Sequence, residues 1–273
     1  MIEKRIKSLP IWFFESLLKH ENISHFVSGR MGGFSSPPYD SLNLAFHVGD
    51  DPKKIHKNRQ LLASTLDISL NNFTFAKQIH DSSVKIITEE LRGSGGLEQQ
   101  TAIEATDALV SNLPNICLIV LVADCVPILF FDPKKNVIGA AHAGWRGTVL
   151  GVVQNTVKTF LERFGSSPTD IIVGIGPSIG PCCYEVGSEV ITQVEDAFHN
   201  KKGYIDKKLL EDGKGYLNLW ETNKTLLAEM GIPENNIESA GLCTHCNHNS
   251  FFSHRYQKRG TGRFGAGIMI KRV

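Results

Sequence analysis

The stretch Ala123–Gly147, "ADCVPILFFDPKKNVIGAAHAGWRG", decides the fold class. Two apolar runs flank Asp132-Pro133-Lys134-Lys135. Aspartate at the first turn position and proline at the second suit a type I turn. The stretch therefore reads as a β-hairpin. A four-residue turn pairs Phe131 with Asn136 and carries the ladder back to Cys125 directly opposite His142. Side chains so placed have Cβ atoms about 5 Å apart, close enough to share a metal ion or form a Cys–His ion pair. A loop one residue longer puts the two on opposite faces. Pro127 cannot donate to a ladder and favours an edge or a bulge, so both registers stay open.

Working outward, "DALVSN" and "ICLIVLVAD" read as strands before the hairpin, and "DIIVGIGPSIG" as one after it, running into a Gly/Pro turn. "FTFAKQIH" alternates as a half-buried strand would, with His80 as its last residue, and "VKIITEEL" reads as another strand. "RGSGGLEQQTAIEA" has the polar, glycine-rich composition of a mobile loop. Asp50 or Asp51 can cap a helix with Pro52 at its first position and Ile55, Leu61, Leu62 and Leu66 on its apolar face. "TVLGVVQNTVKTFLERFG" has helical periodicity and stops at Gly165; "GSEVITQVEDAF" and "NLWETNKTLLAEMG" also read as helices. Strands and helices mix without a strict βαβ rhythm. The expectation is an α+β fold, a single compact domain over residues 1–273 with mixed β-sheets flanked by helices.

Bulk properties narrow the function. Net charge is +1, so no strong field points to nucleic acid or an anionic membrane. The longest apolar run, Ile116–Phe131, is broken by Asp124 and Pro127 and does not read as a membrane span. The first residues lack a long apolar segment with a small-residue cleavage site, so no signal peptide is expected. Six cysteines in such a chain point to reduced thiols and a cytoplasmic location.

Three features favour a site at the hairpin mouth. Asp124 is a carboxylate inside an apolar run, costly to bury without a partner. Gly144 and Gly147 flank Trp145-Arg146, a sign of close backbone approach. His80 is followed by a polar loop. Further along, "CTHCNHNSFFSH" offers Cys243, His245, Cys246, His248 and His254. A C-x-x-C with nearby histidines suggests a second metal, although the spacing is off the usual finger pattern. The alternative is a turn whose thiols are simply buried. Adjacent Cys182 and Cys183 read as two free thiols, since a bridge between neighbours is strained. His56 and Arg59 fall on one side of the first helix, by default a solvated face.

The ordered motifs "SGRMGGFSSPPYDSLNL", "HVGDDPKKIHKNR", "KQIH", "TDALVSN", "ADCVPILFFDP", "GAAHAGWRG", "GIGPSIGPCCYEVG", "CTHC" and "FFSHR…GTGR" together resemble one family. It is the bacterial purine nucleoside phosphorylases, known earlier under a laccase-domain or multicopper polyphenol oxidase label. The resemblance implies a fold similar to a Cys–His deamidase toxin domain. It implies a catalytic zinc held by His80, Cys125 and His142, which are then also the catalytic residues. It implies phosphorolysis of adenosine, inosine and methylthioadenosine, with some adenosine deamination. Three protein ligands leave one open position, as in catalytic rather than structural zinc sites. Cu2+ is a possible substitute at such an N/S site. The expected partners are a purine nucleoside and inorganic phosphate, with no nucleic acid and no membrane, in a monomer or weak homodimer. Arg59, Arg146 and Arg255 are candidates to hold phosphate. Three other readings remain: a copper polyphenol oxidase; a metal-free Cys–His hydrolase or peptidoglycan-editing enzyme with Cys125 as nucleophile and His142 or His80 as base; and a pure binding or scaffold role, which burial of all three residues in a dry core would favour.

Overall fold

The computed structural model describes residues 1–198, 205–206, 213–258 and 260–272. Two six-stranded mixed sheets carry the fold. The first runs Ile2–Ile6, Leu9–Phe13, Ile23–Ser28, Phe264–Ile270, Cys117–Val122, Phe73–Phe75 across its width. The second runs Ile237–Ser239, Ile172–Ile175, Val126–Asp132, Val137–Ala143, Ala108–Ser111, Val84–Ile86. A small three-stranded sheet is hydrogen-bonded to neither, and its Val186 and Leu217 join the core on the second sheet.

The central strands of each large sheet are buried on both faces. Leu118, Val120 and Val122 of the first pack against Leu129, Phe131 and Ile138 of the second. On the outer side of the first, Ile119 and Leu121 meet Leu62 and Ala63 of the helix Pro52–Leu66. On the outer side of the second, Ile128 and Phe130 meet Val153, Val157 and Phe160 of the helix Val152–Phe164. This explains why "ICLIVLVAD" and "VPILFFD" are apolar at nearly every position rather than alternating. The α+β expectation holds, and no helix among the described residues is long and apolar enough to cross a membrane.

The Pro52–Leu66 helix starts as expected: Asp51 caps it by accepting from Lys53 N at 2.9 Å. Asp51→Ala is expected to cost about 1 kcal/mol of stability, read as a lower midpoint in urea unfolding. Gly165 ends the Val152–Phe164 helix in a left-handed conformation. The single helix read upstream is two, Trp145–Val149 and Val152–Phe164, because Gly151 with φ 86° breaks it.

The hairpin is present in neither expected register. Asp132 pairs with Val137 and Pro127 with His142. Asp132 belongs to the strand, and its Oδ1 accepts from Lys134 N and Lys135 N, closing a turn over Pro133–Asn136. Cys125 therefore sits diagonal to His142 rather than opposite it. It precedes Pro127 by two positions, so it keeps to the same face. Pro127 leaves no gap. His142 N turns away to donate to Asp107 O, so Pro127 and His142 form a non-hydrogen-bonded pair. The ladder with Ile172–Ile175 stops at Ile128.

Three local readings are corrected. The strand before His80 covers only Phe73–Phe75. Of "VKIITEEL", read as a strand, only Val84–Ile86 is one, and Glu89–Leu91 is a 3-10 turn. The stretch 92–105, read as a mobile loop, is folded, with a short 3-10 turn at Gln99–Thr101 and Gly95 and Gly96 buried. The reason is Arg59. It lies buried rather than on a solvated face, its guanidinium over the rings of Phe46 and Phe75 and donating to the carbonyls of Leu44, Gly95 and Gly96.

Candidate metal centre

Ala123–Cys125 links the end of Cys117–Val122 in the first sheet to the start of Val126–Asp132 in the second. His142 is next to last in Val137–Ala143, and Asp107 stands just before the neighbouring strand Ala108–Ser111. His80 comes from a loop beyond the edge strand of the first sheet. The structure thus gathers His80, Cys125 and His142 at one end of the paired sheets, with donor atoms all within 4.8 Å of one another. Cys125 Sγ is 3.8 Å from His80 Nε2.

Asp107 organises this arrangement. Its Oδ1 accepts from His142 Nδ1 at 2.8 Å and from His80 N at 3.0 Å. Its Oδ2 accepts from Ile79 N at 3.0 Å and Asp81 N at 2.9 Å. His80 itself has a left-handed backbone with φ 64°, an arrangement that costs energy unless its surroundings hold it. Gln78 adds a second anchor, donating to Leu121 O and accepting from Leu121 N, each at 2.8 Å.

The residues fit zinc. One thiolate and two imidazoles are its usual donors, and tetrahedral bonds would set sulfur and nitrogen about 3.5 Å apart. With Nδ1 tied to Asp107, His142 has its Nε2 left to ligate, the carboxylate–histidine pairing typical of metal sites. His80 and Cys125 both line a cleft of about 370 Å³.

Electrostatics agree with a deprotonated thiol. Burial pushes Cys125 up, but His142 and His80 beside it outweigh this and bring it down to about 6. Burial pulls His142 down, yet Cys125 and Asp107 raise it to about 9. Both shifts favour a thiolate beside an imidazolium when no metal is bound.

Gly144 earns its place by contact. A Cβ there would stand 2.9 Å from Cys125 Sγ and 3.1 Å from His80 Cδ2. Gly147 likewise lets its helix approach Asp81 O, 3.0 Å from a built Cβ. Gly144→Ala is expected to weaken zinc affinity about tenfold with the far-ultraviolet circular dichroism unchanged, measured by competition with a chromogenic chelator.

The arginine candidates separate. Arg255 lines the cleft, with its guanidinium 5.5 Å from the Tyr184 ring centroid. Arg59 lines a different pocket and is held by the carbonyls named above. Arg146 is exposed and stacks on Trp145. Sequence reasoning missed Arg263 and Tyr184, both in the cleft wall, as well as Asp107 and Gln78. Asp107 was signalled only as a carboxylate leading directly into an apolar strand. Asp124 has the partners its burial requires: Thr244 Oγ1 at 2.6 Å and Arg255 N at 2.8 Å.

Comparison with known proteins places the chain in a family. A purine nucleoside phosphorylase of Bacteroides thetaiotaomicron is 36% identical over 261 residues, covering 94% of this chain and 95% of that one. An adenosine deaminase from an unknown prokaryotic organism is 36% identical over 251 residues, covering 92% and 95%. The crystal structure of the Bacillus licheniformis hypothetical protein YfiH matches with a TM-score of 0.89 at 36% identity, covering 98% of each chain. The family described as multi-copper polyphenol oxidoreductase laccase matches residues 24–271, and the chain belongs to it.

Proposed function

We propose that the protein is a zinc-dependent purine nucleoside phosphorylase. It takes adenosine, inosine and methylthioadenosine with inorganic phosphate to the free base and the ribose 1-phosphate, and deaminates adenosine as a side activity. The observation that carries this is the His80–Cys125–His142 cluster, braced by Asp107, at the wall of a cleft that also holds Arg255 and Arg263. The activities named for the relatives supply the reaction class.

When bound, zinc supplies a Lewis acid with one open position. The chain supplies the rest. Two guanidinium groups suit an oxyanion such as phosphate, each offering a planar fork of donors. Tyr184 offers a flat wall for an aromatic base. Asp124 fixes the backbone at Arg255, and Arg255 Nη1 donates to Glu185 O at 2.9 Å, so that cation is held toward the Tyr184 segment. Six unbridged cysteines suit the reducing cytosol.

A second reading has its own observation. The thiolate–imidazolium pair resembles an activated nucleophile and base, which would serve a metal-free hydrolase. A copper oxidase is less well supplied. Among the described residues, three or more metal-donating side chains gather in two places, and one of these has no histidine. Cu2+ binds N/S donors more tightly than Zn2+, so trace oxidase activity would belong to substituted protein. The deciding experiment assays base release from adenosine with zinc-loaded protein, with and without phosphate and with chelator. Phosphate-dependent adenine release that chelator abolishes supports the proposal. No base release, or amide cleavage that survives chelator, overturns it.

A further inference from the structure

Four of the six cysteines meet away from the His80–Cys125–His142 centre. Cys182 and Cys183 lie in the loop after the strand Ile172–Ile175, and Cys243 and Cys246 in the C-x-x-C turn after Ile237–Ser239. Their sulfur atoms all lie within 4.8 Å of one another, and none is bridged. Cys246 Sγ is 3.4 Å from Cys183 Sγ and 3.7 Å from Cys182 Sγ. A tetrahedral ion with metal–sulfur bonds of about 2.3 Å sets its sulfurs about 3.8 Å apart.

The backbone holds the two segments in this relation independently of the thiols. Ser178 N donates to Leu242 O at 3.2 Å and Thr244 N to Ser178 O at 3.0 Å. Gly180 N donates to the buried Cys243 Sγ at 3.2 Å, a bond that favours sulfur as thiolate and metal ligand. Among the described residues no histidine joins the four-sulfur group, and His245 and His248 are engaged elsewhere. His248 stacks on Tyr256 with centroids 3.6 Å apart and bonds His245 O, and His245 meets the edge of the same ring. The spacing that pointed to a mixed Cys/His site is therefore resolved in favour of sulfur alone.

We propose that Cys182, Cys183, Cys243 and Cys246 bind a second zinc ion, with all four positions closed by protein. A closed all-thiolate tetrahedron is a structural zinc site. It would clamp the loop bearing Ile179 and Tyr184 to the segment that leads into Arg255, and all three residues line the cleft. The two exposed sulfur residues, Cys182 and Cys246, give the ion its way in. This inference stands whether or not the cleft performs phosphorolysis.

The test uses the full chain carrying Cys125→Ala, which lacks the first thiol ligand. Purified under reducing conditions and loaded with zinc, it should retain about one ion per chain after desalting. Its cobalt form should show intense sulfur-to-metal charge-transfer bands. Iodoacetamide should label the four thiols slowly until a strong chelator is added, because the remaining Cys117 is fully buried. Adding Cys246→Ser should remove the ion and the protection. If the Cys125→Ala protein holds no zinc and its thiols label at one rate with and without the metal, the proposal is wrong. Retention of the ion in a folded protein that also carries Cys246→Ser would equally overturn it.

Discussion

Cys125→Ala should reduce adenosine phosphorolysis by roughly 10²–10³-fold, the scale on which loss of a preorganised electrostatic group is felt. The same protein should lose the zinc of the first centre. The size follows from position. Cys125 is the anionic donor of the three, and His80 approaches it to 3.8 Å. Its removal leaves two imidazoles, one of them with its remaining nitrogen facing an empty space. Substrate binding should suffer less than turnover, because Arg255, Arg263 and Tyr184 remain in the cleft wall. The check is kcat and KM for adenosine alongside metal content on one preparation. Unchanged metal and unchanged kcat would reduce Cys125 to a packing residue.

Asp107→Asn should weaken zinc affinity and activity toward the upper end of about 10–100-fold, the range for partners that orient metal ligands. The carboxylate accepts four hydrogen bonds, from Ile79 N, His80 N, Asp81 N and His142 Nδ1. An amide replaces one acceptor oxygen with a donor, which must then face donors. Either the loop bearing His80 loses two bonds, or His142 moves its proton to the nitrogen that should ligate. Burial pushes the Asp107 carboxyl up, but His142 and the backbone N–H groups more than offset this and hold it below the ordinary carboxylate range. The bracing is therefore complete above that range and is lost only as pH falls through the lowered value. Zinc retention measured against pH should show wild type surviving into stronger acid than ordinary carboxylate titration would allow, and the Asn variant lacking that limb.

What was legible in the sequence was local. The turn at Asp132-Pro133, the Asp51–Pro52 helix start and the Gly165 stop depend on residues within one or two turns of each other. The register slipped because the Asp132 side chain can close a turn while its backbone still belongs to the strand, which composition does not reveal. The His80 loop was misread as strand because its conformation is set by Asp107, far off in sequence. Arg59 was assigned to solvent because helical spacing shows which face a residue occupies and not what folds over it. The meeting of Cys125 and His142 follows from the hairpin, while the addition of His80 to them came from resemblance rather than spacing. The four-thiol cluster needed the pairing of Ser178 with Cys243, a contact no periodicity announces.

One feature of the first sheet bears on how the chain is made. Phe264–Ile270 lies between Ile23–Ser28 and Cys117–Val122, pairing with both. Every strand of the second sheet has left the ribosome by Ser239. The first sheet stays split into two halves until its keystone strand Phe264–Ile270 emerges. Nascent chains must therefore carry two unpaired strand edges from the emergence of Cys117–Val122 to that of Phe264–Ile270, the condition under which strands recruit wrong partners. His80, Cys125 and His142 are all translated by residue 142, but the first sheet, which positions Cys125 and His80, closes only when Phe264–Ile270 pairs. Chaperone demand and metal loading in the cell should thus both be timed by the emergence of Phe264–Ile270.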